Sequence, residues 1–140
     1  MKQITIAVVM LFSVSVFAQT NAELKAHYEA YYKQMKQQGD VQGIINAMTH
    51  LNILEPNVAR QDTLAYLYLS EGKYMQALNT IGIEKNATDS DMNVEVKALA
   101  LKNLNQPKLA LEHYEVLFQR SPNVYLAYEM ADMKIQIGDT

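Results

Sequence analysis

The chain has 140 residues, no cysteine, and 12 lysine or arginine residues against 15 aspartate or glutamate residues, which gives a formal net charge of −3. This length suits one domain, and the lack of cysteine excludes a disulfide framework, a lipid-modified cysteine and a thiol nucleophile. Because acidic and basic residues alternate along the chain, no basic stripe suited to a phosphate backbone is present, and nucleic acid is not expected as a partner.

The first predicted element is an N-terminal export signal in residues 1–18. Lys2 supplies a positive charge, and an uncharged, mostly apolar run covers residues 4–17. Val16 and Ala18, three residues and one residue before the expected cut, are small or compact, as signal peptidase requires. An uncleaved anchor is the alternative, but a membrane-spanning helix needs about 20 apolar residues, more than this run has. The short signal is typical of bacteria, so we expect residues 19–140 to be periplasmic or secreted and not inserted in a membrane.

Four turn signals recur along the rest of the chain at a constant spacing of 33 residues. They are Gly39-Asp40, Gly72-Lys73, Asn105-Gln106 and Gly138-Asp139. Apolar residues at helical spacing flank these turns, which predicts units of helix, turn and helix. Glycine, and asparagine in its place, suit the left-handed conformation that commonly ends a helix. A repeat of this length predicts an all-α solenoid in which stacked units share one continuous core.

The predicted solenoid has about three repeats and one terminal helix: residues 25–57, 58–90, 91–123 and the partial unit 124–140. The first and third repeats close with Pro56-Asn57 and Pro122-Asn123. Proline cannot continue the preceding helix, and asparagine can cap the next one.

The second repeat is predicted to end differently. Asp89-Ser90-Asp91 replaces the proline and asparagine, which predicts a looser and more polar junction between Asn86 and Asp91. Gly82 and Glu84 interrupt the apolar stripe of the preceding helix, so we expect that helix to end early.

This pattern resembles the tetratricopeptide repeat family, whose unit has two antiparallel helices, a small residue in the first, a glycine at the turn, an alanine five residues later and a closing proline. The matching residues are Tyr28, Gly39, Met48, Leu51 and Pro56 in the first repeat, Leu64, Ala65, Tyr68, Gly72, Tyr74 and Ala77 in the second, and Ala98, Leu101, Asn105, Ala110, Tyr114, Leu117 and Pro122 in the third. Tyr32, Ile44 and Lys97 depart from the pattern. Ankyrin repeats have the same period, but their Thr-Pro-Leu-His opening does not occur in this sequence. A plain helical bundle is the other alternative, and it would not require the regular turns.

The resemblance implies that the first helix of each repeat lines a concave groove that binds a protein partner. Residues at one helical face would line it: Glu29, Lys33, Lys36, Asp62, Tyr66, Leu69, Glu95, Leu99, Lys102, Tyr125, Tyr128 and Asp132. Their tyrosines and leucines would form an apolar strip suited to an extended peptide or an amphipathic helix. The tyrosines could instead pack between helices with their hydroxyls at the surface. The basic clamp with which some family members hold chaperone C-termini is missing, since Glu29 and Met92 occupy two of its positions.

No catalytic residue, metal site or cofactor is predicted. The histidines, which lack metal-ligand spacing, are His27, His50 and His113. Asp89, Asp91 and Asn93 resemble the start of a calcium loop, but Val94 and Ala100 stand where glycine and glutamate are required, so helix capping is favoured. We therefore expect a non-enzymatic scaffold that holds an envelope or secreted protein.

Two other functions stay open. The chain could be the N-terminal targeting or regulatory segment of a longer protein whose activity lies elsewhere. It could also be a structural module that associates end to end through its last helix. That helix contains Met130, Met133, Ile135 and Ile137, which is rather apolar for the polar cap that a terminal repeat requires.

Overall fold

The structure is a computed structural model that describes the backbone of residues 2–138 and the side chains of residues 20–138. Over these residues the chain is all-helical, which confirms the all-α part of the predicted fold class. The helices are α1 (Lys2–Gln38), α2 (Val41–Leu54), α3 (Val58–Ser70), α4 (Tyr74–Ile81), α5 (Asp91–Asn103), α6 (Pro107–Arg120) and α7 (Val124–Ile137). The side chains of the expected export signal, residues 1–18, lie outside the described ones. Among the residues described in full, no helix is long and apolar enough to cross a membrane.

The helix boundaries recur at the predicted spacing. α2, α4 and α6 begin at residues 41, 74 and 107, and α3, α5 and α7 begin at residues 58, 91 and 124, so each series advances by 33 residues. The backbone φ angle is positive at each of the four turn signals, at Gly39 (70°), Gly72 (72°), Asn105 (58°) and Gly138 (83°). Asn105 thus takes the left-handed conformation predicted for it, which an asparagine tolerates better than most residues.

Polar side chains cap four of the described helices, and the first is α2, where the Asp40 carboxylate accepts a hydrogen bond from the Gly43 amide at 3.0 Å. The Oδ1 atoms of Asn57 and Asn123 accept hydrogen bonds at 2.9 Å from the backbone amides three residues ahead, and the hydroxyl oxygen of Ser90 accepts an equivalent bond at 3.0 Å. These bonds satisfy amides that would otherwise lack a partner in the first helical turn. They confirm the predicted capping roles and fix where α3, α5 and α7 begin.

The second helix of the middle repeat does end early, as predicted. α4 has 8 residues, whereas α2 and α6 each have 14. The chain then runs without helix from Gly82 to Ser90. We call this segment the α4–α5 loop.

The chain divides into two compact units, residues 1–56 and residues 57–140. In unit 1, α1 packs against α2. The helices approach closely at Gly43, where an added Cβ atom would lie only 2.3 Å from the sulfur of Met35. The Tyr28 and His50 rings stack with their centroids 4.3 Å apart, and Lys25 forms an ion pair with Glu55.

Unit 2 contains α3 to α7. Each helix packs against the next one along the chain, and α3 also packs against α5. Small residues lie where these helices approach: Ala65, Ala77, Ala98 and Ala110 are all completely buried. Larger apolar side chains, among them Leu101, Tyr114 and Met133, fill the core around them.

Candidate functional site

The groove residues predicted in unit 1 lie at the surface of α1. Glu29, Lys33 and Lys36 are all exposed. The Lys36 ammonium lies 6.0 Å from the centroid of the Tyr32 ring, at the outer limit of a cation–π contact. The segment therefore presents charges of both signs to solvent.

In unit 2, side-chain bonds tie the helices that carry the other predicted groove residues. Asp62 of α3 bonds to Asn93 of α5, and Lys102 of α5 bonds to Glu129 of α7. The three helices α3, α5 and α7 are thus linked in sequence. Their predicted groove residues fall into an exposed set and a packed set.

The exposed set consists mainly of tyrosines. Tyr66 is 49% exposed, Tyr125 is 53% exposed and Tyr128 is 78% exposed. Glu95 is exposed as well, and no ion pair forms at its carboxylate within the described part of the chain. Large aromatic side chains left in solvent are the residue type that most often anchors a protein partner.

The packed set includes Asp62. Its carboxylate is buried and accepts hydrogen bonds from the Ser90 hydroxyl at 2.7 Å and from the Asn93 amide at 2.8 Å. Leu69 and Leu99 are half-buried, and Leu69 packs against two apolar clusters of the unit, one around Leu101 and one around Ala65. Asp62 therefore joins α3 to the start of α5, and its burial keeps the carboxylate away from the surface that a ligand would contact.

Lys102 is engaged by a neighbouring helix. Its ammonium lies 2.6 Å from the Glu129 carboxylate, and this hydrogen bond raises the pKa of the lysine. Burial, with a further contribution from the Glu129 charge, raises the pKa of Tyr125. At neutral pH Lys102 is therefore charged but paired, and Tyr125 keeps its phenolic proton as a hydrogen-bond donor.

Two shallow clefts adjoin these residues. One, of about 190 Å³, lies between the start of α5 and the α6–α7 corner and is lined in part by Glu95, Leu117 and Tyr125. At its edge, Arg120 pairs with Asp91 at 2.9 Å. The other cleft, of about 280 Å³, lies along α7 between Tyr128, Ala131, Asp132 and Ile135.

The last helix is apolar on two sides. Four apolar residues were considered for end-to-end association through this helix. Met133 is completely buried, Met130 and Ile137 are half-buried, and Ile135 is 67% exposed. Sequence reasoning missed Val124, which is 81% exposed. Its spacing of four residues from Tyr128 is the signal that could have identified it.

A polar cluster around the α4–α5 loop was also missed. Lys97 is completely buried, and its ammonium donates to the Asp89 carboxylate at 2.7 Å and to the Glu84 carbonyl at 2.8 Å. The buried His113 imidazole bonds through Nε2 to the Ile83 carbonyl at 2.8 Å. Burial lowers the pKa of His113, so the ring is neutral at neutral pH and Nε2 carries the proton. These two side chains provide partners for the Ile83 and Glu84 carbonyls of the loop.

No group of three or more histidine, aspartate or glutamate side chains that could hold a metal ion occurs among the residues described in full. No protein-family model matches the chain, and no curated protein is significantly similar to it. The resemblance to tetratricopeptide repeats therefore rests on the residues and helix boundaries themselves.

Proposed function

We propose that the chain is a non-enzymatic, exported scaffold built from tetratricopeptide-like repeats. Three features support the repeat interpretation: helix starts that advance by 33 residues, left-handed residues at the same phase, and completely buried alanines where helices approach. Export is supported by the sequence pattern of residues 1–18. Since fold class does not determine function, the binding role needs an argument from the surface.

The exposed tyrosines carry that argument. Tyr66 lies on α3 and Tyr125 on α7, with the half-buried Leu99 on the intervening α5. An aromatic ring in solvent offers a large contact area with few rotatable bonds, so it loses little entropy when a partner covers it. We propose that this surface holds an extended segment or an amphipathic helix of an envelope or secreted protein.

The charges of the surface indicate which type of ligand it would bind. Glu95 and Asp132 form no ion pair within the described residues, whereas Lys102 is already paired with Glu129. The surface therefore offers uncompensated negative charge beside aromatic rings. This combination favours a ligand segment that carries lysine or arginine, through ionic attraction and cation–π contacts.

Site-specific photocrosslinking tests the proposal. A photoreactive aromatic residue is placed at Tyr66 or Tyr125, with Ile53 and Met75 as control positions because they are 74% and 56% exposed on other helices. After irradiation in the envelope fraction, we expect the two tyrosine positions to yield the same crosslinked partner and the controls not to yield it. Tyr66→Ala should then weaken capture of that partner about 30-fold, the effect of losing a strong interface anchor.

Equal crosslinking from all four positions would contradict the proposal, because contact would then be random. Tyr66→Phe is a useful matched variant, since it retains the ring and removes only the hydroxyl. Capture that survives Tyr66→Phe and is lost in Tyr66→Ala would identify the ring as the anchor. Far-UV circular dichroism should be the same for all variants, because Tyr66 is exposed.

A further inference from the structure

The face of α7 that points away from the core is apolar. Val124, Tyr128, Ala131 and Ile135 lie within an arc of about 60° at 100° per residue. All four are exposed, and the three large ones are 81%, 78% and 67% exposed in chain order. Leu126 and Met133, on the opposite side of the helix, are buried. We call this exposed set the α7 stripe. A helix that is apolar on both sides normally has a partner on both.

One position of the α7 stripe has buried equivalents in the two preceding repeats. Ala65, Ala98 and Ala131 follow one another at 33-residue intervals. The first two are completely buried, Ala65 in a cluster with Ala77 of α4. The first helix of each preceding repeat packs against the second helix of its own repeat, α3 against α4 and α5 against α6. Among the described helices, only α6, from the preceding repeat, packs extensively against α7. Ala131 thus occupies a position at which a neighbouring helix packs in the two preceding repeats, whereas the equivalents of Val124, which are Val58 and Asp91, are exposed.

We infer that a second copy of this chain covers the α7 stripe, through an antiparallel α7–α7 contact about a twofold axis. The stripe residues are spaced by four, three and four positions, so their arrangement is the same when the helix is reversed. An antiparallel copy brings Val124 opposite the partner's Ile135 and Tyr128 opposite the partner's Ala131. A large side chain then meets a small one at the centre, and aliphatic side chains meet at the ends. A twofold interface requires this kind of self-complementary surface.

The charges beside the stripe are compatible with this pairing. Asp132 and Tyr125 lie on the same flank, so reversal places the Tyr125 hydroxyl near the partner's Asp132, where it can donate a hydrogen bond. The two Asp132 carboxylates would stay roughly 10 Å or more apart, about a Debye length at physiological salt. The contact therefore gains apolar burial without a close like-charge pair.

The size of the contact predicts a weak dimer. A helix of 14 residues is about 21 Å long, so one helix pair buries less than the roughly 800 Å² per partner of standard stable interfaces. We expect association that depends on concentration between about 10 µM and about 1 mM, the range in which weak complexes form.

Sedimentation velocity on the full chain tests the inference. The wild type should shift from monomer to dimer across the concentration range. Val124→Lys and Ile135→Lys should each weaken the dimer at least tenfold, because each places a charge in the contact. Ile53→Lys is the matched control: Ile53 is 74% exposed on α2, and its substitution should leave association unchanged. A wild-type monomer throughout, or equal weakening by Ile53→Lys, would overturn the inference.

Disulfide trapping tests the direction of the helices, since the natural chain has no cysteine. Differently tagged Val124→Cys and Ile135→Cys chains are mixed and oxidised. The antiparallel pair predicts mixed disulfides between the two variants, because like positions would lie about 16 Å apart along the axis, too far for a disulfide. Predominant like-with-like disulfides would overturn the antiparallel arrangement.

This inference and the proposed peptide-binding role are tested at different residues. Val124 and Ile135 report on the dimer, whereas Tyr66 reports on ligand capture, so either proposal can fail alone. Tyr125, Tyr128 and Asp132 border both surfaces, and we therefore expect dimerisation to leave Tyr66 as the accessible anchor.

Discussion

Two junctions in unit 2, the α6–α7 corner and the α4–α5 loop, each connect one repeat to the next but are stabilised differently. α6 runs for 14 residues to Arg120, and only residues 121–123 separate it from α7. α4 begins at the corresponding place in the preceding repeat but ends at Ile81, and the loop of residues 82–90 follows. The first junction depends on local residues, since Pro122 does not extend the helix and Asn123 caps the next one.

The α4–α5 loop depends on side chains from elsewhere in the chain. Gly82 has φ 79° and ψ −178°, a conformation essentially restricted to glycine, so α4 ends there. The loop carbonyls then need donors, which Lys97 of α5 and His113 and Arg120 of α6 supply. A short corner can thus be specified by two adjacent residues, whereas an irregular loop needs donors placed by tertiary packing.

The largest expected effect comes from removing the buried cation. Lys97→Ala removes the ammonium from the Glu84 carbonyl and from the Asp89 carboxylate, which is only 13% exposed and keeps a bond from the Asn86 amide at 3.3 Å. We expect a loss of about 3 kcal/mol in unfolding free energy, as for other buried pairs deprived of one partner. Urea unfolding followed by circular dichroism measures this loss. Lys108→Ala on exposed α6 surface should change stability by less than about 0.5 kcal/mol.

A double-mutant cycle distinguishes the ion pair from simple packing. If Asp89→Ala costs much less in the Lys97→Ala background than in the wild type, the two side chains are coupled. Additive effects would show that the alkyl chain of Lys97, and not its charge, stabilises the loop. The contrast drawn between the two junctions would then be wrong.

The difference between the junctions also shows which features could be predicted from the sequence and which could not. Pro122, Asn123 and Gly82 are local signals, and they predicted one tight corner and one short helix. Lys97 could be noted only as a departure from the family pattern, because its burial depends on a loop that folds back 8 residues earlier in the chain.

The candidate site shows the same limit. Tyr66 was assigned to the groove from the family resemblance and its spacing from the turn, and it is exposed. Asp62 has equivalent spacing but is buried, because its partners Ser90 and Asn93 come 28 and 31 residues later. Periodicity assigns a residue to a helix face, whereas its burial depends on which helix packs against that face.

The helix caps at the two junctions should differ by a smaller amount. Ser90→Ala removes the cap of α5 and also leaves the buried Asp62 carboxylate without one donor, so we expect a loss of about 2 kcal/mol. Asn123→Ala removes the cap of α7 and should cost about 1 kcal/mol. Parallel urea titrations of the two variants measure the difference. Equal losses would mean that the bond between Ser90 and Asp62 contributes no net stability.

The smallest expected effect is a pH dependence from His113. Burial lowers its pKa in the native state below the ordinary value of 6.5, with the Lys97 charge acting in the same direction and the Ile83 carbonyl and Glu112 opposing it. As pH falls through about 6.5, the unfolded chain binds a proton that the native chain does not, so the free energy of unfolding decreases. The stability is fully present above the unfolded pKa and is lost on acidification, with a slope of at most about 1.4 kcal/mol per pH unit.

Chemical denaturation between about pH 7.5 and about pH 5.5 tests this, since most carboxylates stay ionised over that range. His113→Gln should flatten the profile while retaining a side-chain N–H that can donate to Ile83. The exposed His27 provides the control, and His27→Gln should leave the slope unchanged. If the slope persisted in His113→Gln, the titrating group would lie outside the α4–α5 loop. The loop would then be held by hydrogen bonds that do not respond to pH in this range, as the α6–α7 corner is.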